Sequence, residues 1–522
     1  MLFRSTFLIF FAFVPFFLNE KSVLASDRKN KLNYLFWLSY LTFFTWNLCA
    51  TWWVSYASLG GAAMAITCNA LLMSLTYLVY LLLTKNITSF LRYFLLLPVW
   101  LSFEYLHTDW DLSWTWLTLG NVFAFKTTWI QWYEFTGVSG GSLWILLINA
   151  LVFIILFYPE TTKTFLRKII LFICLVAFFF LPILISHGIK PIPTKTKNLN
   201  RVKCLILQPG YNPYTEKFEI PFADQFSQTM KLAHKQLDST IDYLVFPETF
   251  IPHQFIGDDI FENNLDNHPY LRLFFDSLLQ RFPSLHIVTG ADTHYQYAQN
   301  EAHLPTSRKY SDTLLYYEAF NTALQLQNKK PIDIYHKSKL VPGVEMMPFP
   351  TIFGLLSNLA IEMGGTSGSL GRQAYREVFA GPGLAKAGVI ICYESIFGEY
   401  VTEYVKKGAN VLFIITNDGW WEDTPGYHQH LAYACLRAIE TRRWIARSAN
   451  TGISAVINPA GEIEKSAGWY EKIALQAAIP ILEGKTFYVR NGDLISKIAL
   501  VLTGIITASS FIPFLRRFTS KK

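Results

Sequence analysis

Apolar runs suited to a lipid bilayer lie at both ends of the chain and leave a long middle region without them. A full helical span takes about 20 apolar residues, so the first and fourth runs are short. The pattern predicts a helical transmembrane bundle (residues 1–190), a globular domain (198–490) and a carboxy-terminal transmembrane helix (495–516). The runs are Phe7–Leu18, Leu35–Trp53, Ala65–Leu83, Tyr93–Phe103, Leu143–Tyr158, Ile169–Ile185 and Ile498–Leu515.

The charged residues agree with this division. They make up only 16% of the chain, and the net charge is +7. The basic residues cluster beside apolar runs, as at Arg167/Lys168 and Arg516/Arg517, which is typical of cytoplasmic loops and argues against a nucleic-acid partner. The six cysteines show no C-x-x-C spacing, so neither a zinc site nor a disulfide framework is predicted.

The loop charges also predict a topology. The loops after the first, third, fifth and seventh apolar runs are basic, whereas residues 55–61 after the second carry no charge. The loop after the fourth run is net acidic and rich in tryptophan, so residues 105–140 are expected at the outer membrane interface. Because cytoplasmic loops carry the excess of lysine and arginine, the middle domain is predicted to lie outside the cytoplasm.

The beginning of the chain allows two interpretations. Arg4, a short apolar run and Ala25 before Ser26 resemble a cleavable signal peptide. Cleavage would leave Arg28 and Lys29 on the outer side of the membrane, so an uncleaved helix is favoured.

The middle domain alternates strand and helix patterns, which predicts a layered α/β domain. Helical patterns include Phe222–Leu237 and Leu431–Ala446. Residues 350–387 form a long glycine-containing loop that is a candidate lid. The predicted strands are Val202–Gln208, Tyr243–Phe246, His286–Gly290, Thr322–Leu326, Gly388–Cys392, Val411–Thr416 and Ile453–Asn458.

Three strand ends in the middle domain carry residues that suit acyl transfer. Glu248 follows Leu244-Val-Phe-Pro, Lys337 follows Tyr335-His, and Cys392 follows Val389-Ile-Ile. A cysteine thiol is a strong nucleophile once a base takes its proton, and a lysine ammonium stabilises the oxyanion of a tetrahedral intermediate. Taken singly, each residue also fits an ordinary structural role, as a loop carboxylate, a surface lysine or a buried thiol.

Taken together, these motifs resemble a known family. Pro247-Glu248, His336-Lys337 with Leu340-Val-Pro342, and Ile391-Cys392-Tyr-Glu394 are similar to the three signatures of the nitrilase superfamily. This domain lies between an amino-terminal group of membrane segments and one last carboxy-terminal segment. That arrangement, with Trp46-Asn47, Leu59-Gly60-Gly61 and Glu104 in the membrane half, resembles the apolipoprotein N-acyltransferase family. Further runs of the middle domain match the nitrilase superfamily in the same order. Those runs are Gly290-Ala-Asp, Asn321-Thr-Ala, Thr416-Asn-Asp-Gly-Trp420, Arg437-Ala-Ile-Glu440 and Asn450-Thr-Gly-Ile453.

The resemblance implies an α-helical transmembrane bundle with an αββα nitrilase-like domain, and it implies a role for each site residue. Glu248 would be the general base, Lys337 the electrostatic stabiliser and Cys392 the nucleophile that carries the acyl group as a thioester. Glu345 would orient Lys337 and Glu248. Around the triad, Tyr393 and Glu394 would shape the pocket. The adjacent Trp420 and Trp421 would enter the membrane interface or line the lipid path, and simple packing over the domain remains an equal alternative for them.

The resemblance further implies the substrates and the location. A phospholipid would donate the acyl chain, and the α-amine of a lipoprotein's diacylglyceryl-cysteine would accept it. The expected location is the bacterial inner membrane, with the catalytic domain in the periplasm. No cofactor, no metal and no nucleic acid are expected, and a monomer is expected. The two rival hypotheses are a membrane-tethered amidase and a non-catalytic membrane scaffold.

The sequence departs from the family at three points. Gly343-Val344 stands where Phe-Gly usually precedes the second carboxylate, which is expected to shift the loop that carries Glu345. Lys339 adds a positive charge where histidine is frequent. Seven membrane segments are counted where the family is expected to have eight, so a first helix is expected to be missing or encoded upstream.

Two histidines separated by one residue form one further candidate metal site. His428-Gln-His430 is interpreted as part of a polar loop, because two histidines at this spacing lack further ligands.

Overall fold

The computed structural model describes residues 6–158, 164–189, 199–253, 259–310, 314–349 and 369–519. It divides into two compact units. The first consists of residues 1–52, 62–190 and 491–522, and the second of residues 53–61 and 191–490. Residues 53–61, which were expected in the bundle, therefore group with the second unit.

The first unit is helical, and most residues of each predicted apolar run lie in α-helices or 3-10 helices. Within the described residues, four helices are long and apolar enough to cross a membrane, and Leu494–Ser510 is a shorter apolar helix. Helices suit apolar runs because every backbone group can be hydrogen-bonded within the segment. The main helices are Val14–Ala25, Lys31–Thr51, Leu59–Thr84, Leu96–Leu106, Val138–Phe157, Phe165–Gly188 and Leu494–Thr519.

The first span is longer than the apolar pattern predicted. A 3-10 helix, Thr6–Phe11, leads into the helix Val14–Ala25, and the candidate span covers 20 residues. The apolar run stops at Glu20, but this carboxylate is buried, accepts a hydrogen bond from the Tyr77 hydroxyl at 2.7 Å and pairs with Arg92 at 2.9 Å. Glu20 ends the apolar pattern in the sequence, but the helix continues past it to Ala25, with the Glu20 carboxylate paired to Arg92.

Residues 105–140, expected at the interface, form short helical turns rather than one long element. They include the 3-10 helices Thr115–Leu117 and Leu119–Phe125 and the short helix Tyr133–Thr136. Glu104 anchors them, because its Oε1 accepts hydrogen bonds from Trp100 Nε1 at 3.1 Å and from the Leu119 amide at 2.8 Å.

The second unit contains two β-sheets. The strands are β1 (Arg201–Gln208), β2 (Tyr243–Val245), β3 (Ile260–Phe261), β4 (His286–Gln296), β5 (Arg308–Lys309), β6 (Tyr316–Leu326), β7 (Asp333–His336), β8 (Val378–Ala380), β9 (Lys386–Ile391), β10 (Val411–Thr416), β11 (Ile445–Ala449), β12 (Ala455–Ile457), β13 (Ile463–Ser466) and β14 (Ile473–Pro480).

The two sheets pack face to face. One has eight strands, with the order β14-β1-β2-β4-β6-β5 and with β3 and β7 paired to β4 and β6; the other has six, in the order β13-β12-β11-β10-β9-β8. The Tyr243 ring on β2 lies 4.9 Å from the Phe413 ring on β10, edge to face. Central strands such as β10 are buried throughout, as strands covered on both faces should be.

Helices cover the outer faces, which confirms the αββα arrangement. The helix Phe222–Ala233 places Phe226 and Met230 in the core of the larger sheet. The helices Gly398–Lys406 and Pro425–Thr441 pack against the smaller sheet. The remaining helical elements of this unit include Glu262–Asn267, Pro269–Phe274, Phe275–Leu279, Cys392–Ile396, Asp418–Trp421 and Phe487–Asn491.

The structure corrects the bounds of several predicted elements, and one predicted segment lies partly outside the described residues. The helix predicted over Phe222–Leu237 ends at Ala233. The helix predicted over Leu431–Ala446 ends at Thr441, because Arg442 has a left-handed backbone (φ 50°) and Ile445 begins β11. Several strands are longer than predicted; β4 continues to Gln296, where its pairing with β6 is still intact. Half of the candidate lid, residues 350–368, lies outside the described residues, and the other half contains β8 and the start of β9.

Candidate active site

Glu248 lies just beyond the end of β2, where the backbone of β4 passes very close. A Cβ atom added at Gly290 on β4 would lie 2.6 Å from the Glu248 Cα and 2.4 Å from the Thr249 amide nitrogen, so glycine is required there. The side-chain Nδ2 of Asn321 donates to Glu248 Oε1 at 2.8 Å, and the backbone amide of Asn417 donates to Oε2 at 3.1 Å. The carboxylate is therefore buried and held from two sides.

Lys337 follows the last residue of β7 and is buried between two carboxylates. Its Nζ donates to Glu248 Oε1 at 3.1 Å and to Glu345 Oε1 at 2.7 Å. Burial alone would lower the pKa of this ammonium, but Glu248 and Glu345 outweigh it, so the pKa lies well above its usual value. Lys337 is a permanent cation here, which suits charge stabilisation and not proton transfer.

Glu345 reaches Lys337 despite the departure from the family pattern before it. Gly343 adopts φ 76°, a conformation that glycine allows at little cost, and the Val341 amide donates to Glu345 Oε2 at 2.8 Å. The loop shift expected from Gly343-Val344 therefore does not separate Glu345 from the site. Asn321 links the two carboxylates, since its Nδ2 also lies 3.2 Å from Glu345 Oε1.

Cys392 lies at the junction of β9 and a 3-10 helix, with a left-handed backbone (φ 47°) that non-glycine residues rarely adopt. It keeps partial solvent exposure, whereas Cys204 and Cys435 are buried. Burial raises the pKa of the thiol, the Glu248 charge raises it further, and the Lys337 charge lowers it; the net shift is upward. The resting group is a thiol, so attack on a carbonyl needs a base.

Glu394 and Tyr393, predicted to shape the pocket, are both buried. Glu394 holds the two strand ends that carry Lys337 and Cys392: its Oε1 accepts from the Ser338 amide at 2.7 Å, and its Oε2 accepts from the Ile391 amide at 2.8 Å. The Tyr400 hydroxyl also donates to it at 2.6 Å. Glu394 thus positions backbone, and its burial raises its pKa.

A fully buried network lies behind the Cys392 backbone. Arg447 Nη2 donates to Asp418 Oδ2 at 2.6 Å, and Asp418 Oδ1 lies 2.9 Å from His430 Nδ1. His430 Nε2 lies 3.2 Å from the Cys392 carbonyl oxygen. Burial opposes the charge on Asp418, but Arg447 and His430 outweigh burial and hold its pKa at about 2.

His430 therefore corrects the sequence interpretation of His428-Gln-His430. Both histidines belong to the helix Pro425–Thr441 and not to a polar loop. Arg447 on β11 and Asp418 at the start of a 3-10 helix meet His430 in the fold, and no local pattern in the sequence signals this contact.

Lys217 and Asp292 are two further ionisable residues that interact electrostatically with Glu248 and with each other, and neither of them was assigned a role from the sequence. Lys217 is almost completely buried and donates a hydrogen bond to the Thr249 hydroxyl. Burial lowers the pKa of Lys217, and the charges of Asp292 and Glu248 oppose that shift. Burial likewise raises the pKa of Asp292 to about 6, although Lys217 lowers it. Lys217 lies in an irregular segment, where nothing in the surrounding sequence marks a single lysine as a site residue. Asp292 belongs to the run Gly290-Ala-Asp, which supported the family resemblance without giving this residue a role.

Trp420 and Trp421 lie on a 3-10 helix, Asp418–Trp421, within an aromatic cluster of the second unit. The Trp420 ring stacks on Phe218 at 6.3 Å, and the Trp421 ring lies 4.8 Å from Trp53. Both are partly exposed. Their predicted part in guiding lipid stays a prediction.

Two protein-family models match this chain. The family model of the carbon-nitrogen hydrolases matches residues 186–483, more than half of the chain. The chain belongs to the carbon-nitrogen hydrolase family. The model of the apolipoprotein N-acyltransferase N-terminal domain matches residues 2–151. The N-terminal-domain model is thus followed along the chain by the hydrolase model, which confirms the predicted resemblance to the apolipoprotein N-acyltransferases. The protein is an enzyme.

Relatives of similar sequence align with most of this chain. The apolipoprotein N-acyltransferase of Chlorobaculum tepidum is 27% identical over 93% of this chain and 89% of its own. That of Rickettsia prowazekii is 27% identical over 78% of this chain and 74% of its own. Among solved structures, Nit3 of Saccharomyces cerevisiae is 17% identical and aligns with 55% of this chain and 92% of its own, with a TM-score of 0.37.

Proposed function

We propose that this enzyme is an apolipoprotein N-acyltransferase that works through a thioester on Cys392. It moves an acyl chain from a membrane phospholipid to the α-amine of a diacylglyceryl-cysteine at the start of a lipoprotein. The observation that carries the proposal is the contact of Lys337 with Glu248 and Glu345 beside the strained, partly exposed Cys392.

In the first half-reaction, Glu248 takes the thiol proton of Cys392 as the sulfur attacks the ester carbonyl of the phospholipid. The carbonyl oxygen becomes an oxyanion, and the Lys337 ammonium stabilises it. Collapse breaks the ester C–O bond, and Glu248 returns its proton to the departing alkoxide. A lysophospholipid leaves, and the acyl group remains on the sulfur.

In the second half-reaction, the α-amine attacks the thioester carbonyl and gives a proton to Glu248. Lys337 again stabilises the oxyanion, and collapse forms an amide bond. The Cys392 sulfur leaves and recovers its proton from Glu248. The raised pKa of the thiol supports this scheme, because a proton must be removed at each attack and returned at each departure.

A lipid donor and a lipid-modified acceptor explain why the catalytic domain is joined to apolar helices. Four described helices are long and apolar enough to cross a membrane. A soluble amide substrate would not need them.

The test is mass spectrometry of a diacylated lipopeptide incubated with the purified full chain and a phospholipid with isotope-labelled acyl chains. We expect the labelled acyl mass on the α-amine of the peptide and an equal amount of lysophospholipid. A parallel reaction without phospholipid should leave the peptide unchanged.

Each other outcome contradicts part of the proposal. A labelled thioester on Cys392 without modified peptide would mean that the acceptor is a different amine. Release of free labelled fatty acid without a thioester would favour a hydrolase. No product of any kind would favour a membrane scaffold.

We also propose that the catalytic domain lies on the periplasmic side of the bacterial inner membrane, because the loop charges alternate as described. Asn300 is an exposed turn residue of this domain, so a reporter fused there does not interrupt a strand. Alkaline phosphatase, which is active only in the periplasm, is expected to be active when fused there and inactive when fused at Lys85. The reverse pattern would contradict the topology.

A further inference from the structure

Two histidines and an aspartate converge at one edge of the larger sheet, apart from Lys337 and Cys392. The His253 Nδ1 lies 3.2 Å from Asp259 Oδ1, and the His294 Nδ1 lies 3.3 Å from the same oxygen. The three ligand atoms all lie within 4.8 Å of one another. We propose that His253, Asp259 and His294 bind a zinc ion.

The distances between these atoms fit a zinc site. Zinc binds histidine nitrogen and carboxylate oxygen at about 2.0–2.2 Å in tetrahedral geometry, so neighbouring ligand atoms lie about 3.3–3.5 Å apart. Both nitrogen-to-oxygen distances are close to this value. The two imidazole nitrogens lie within 4.8 Å of each other.

The chemistry of the ligands also suits the metal. Imidazole nitrogen and carboxylate oxygen are ligand types that zinc binds in proteins. His294 is buried, and His253 and Asp259 are partly buried, so the three side chains are shielded from bulk water.

The position of the ligands indicates a structural role. His253 lies two residues beyond the bridge between Ile251 and β4, Asp259 immediately precedes β3, and His294 lies on β4. An ion bound to all three would join these segments. The His253 amide also donates to Asp292 Oδ2 at 3.2 Å, so the ion would stabilise one wall of the active site. His294 lies 35 residues beyond Asp259, so no short spacing motif in the sequence reveals this group.

Isothermal titration with zinc chloride tests the site on the full chain, purified without a histidine tag and treated with a chelator. We expect one equivalent to bind to the wild type, with a rise in Tm on binding. Asp259→Asn and His294→Ala are expected to weaken this binding by at least about 100-fold, since even losing a residue behind a ligand costs about 10–100-fold. Asp259→Asn keeps the side-chain shape, so it reports on the site if His294→Ala fails to fold.

Two matched controls identify the bound equivalent. His234→Ala removes an exposed histidine of the same domain, and Cys392→Ser removes the thiol that is the other plausible zinc ligand. Both variants should still bind one equivalent of zinc as tightly as the wild type does. Absence of binding to the wild type, or binding that survives Asp259→Asn and disappears with Cys392→Ser, would overturn the proposal.

Discussion

Cys392→Ser is expected to lower the rate of acyl transfer by about 10⁴-fold or more while leaving the fold intact, because removing a covalent nucleophile has effects of that size. Serine differs from cysteine by one atom and places the same Cβ at the left-handed backbone of residue 392, so no new strain arises. A serine hydroxyl is a far poorer nucleophile than a thiolate. Glu248, next to the Lys337 cation, is not expected to activate it.

The measurement combines lipopeptide mass spectrometry with the Tm of the purified chain. Cys435→Ser is the matched control, because Cys435 is a buried thiol in a helix of the same domain, and its Sγ lies 3.6 Å from the Leu431 carbonyl. That control should keep its activity. Unchanged turnover in Cys392→Ser would contradict the nucleophile assignment.

Arg447→Met is expected to destabilise the catalytic domain by about 3–5 kcal/mol, which is the usual cost of removing one partner of a buried ion pair. Arg447 and Asp418 are both fully buried, and Arg447 Nη1 also donates to the Ile453 carbonyl at 2.6 Å. Methionine fills much of the space but leaves the Asp418 carboxylate without its strongest partner. For a domain of this size we expect the Tm to fall by about 10 °C.

Arg447→Met should also lower activity, because the network ends at the carbonyl of Cys392. Arg281→Met, which removes an exposed arginine of the same domain, is the control and should leave Tm unchanged. The double variant Arg447→Met/Asp418→Asn should recover part of the lost Tm, since it also removes the unpaired charge. A single variant as stable as the wild type would show that the pair contributes nothing.

The membrane helices and the main strands were predictable from the sequence because they depend on local patterns. A run of apolar residues needs a bilayer or a core, whatever lies elsewhere in the chain, and β10 is found where its apolar run predicted it. The residues Glu248, Lys337 and Cys392 stood out because each follows a strand within a recognisable motif. Element ends were less predictable, since pairing between distant strands extended β4 and turned residues 445–446 from predicted helix into β11.

The partners of the site residues depend on the tertiary structure alone. Lys217, Asp292 and Asn321 become neighbours of Glu248 only when β4, β6 and the segment after β1 come together. His430 looks like a loop histidine in the sequence and becomes part of a buried charge network in the fold. A single polar residue carries no periodic signal, whereas its burial, its pKa and its hydrogen bonds are set by groups far along the chain. The sequence therefore indicated which residues react, and the fold decided how they are held and charged.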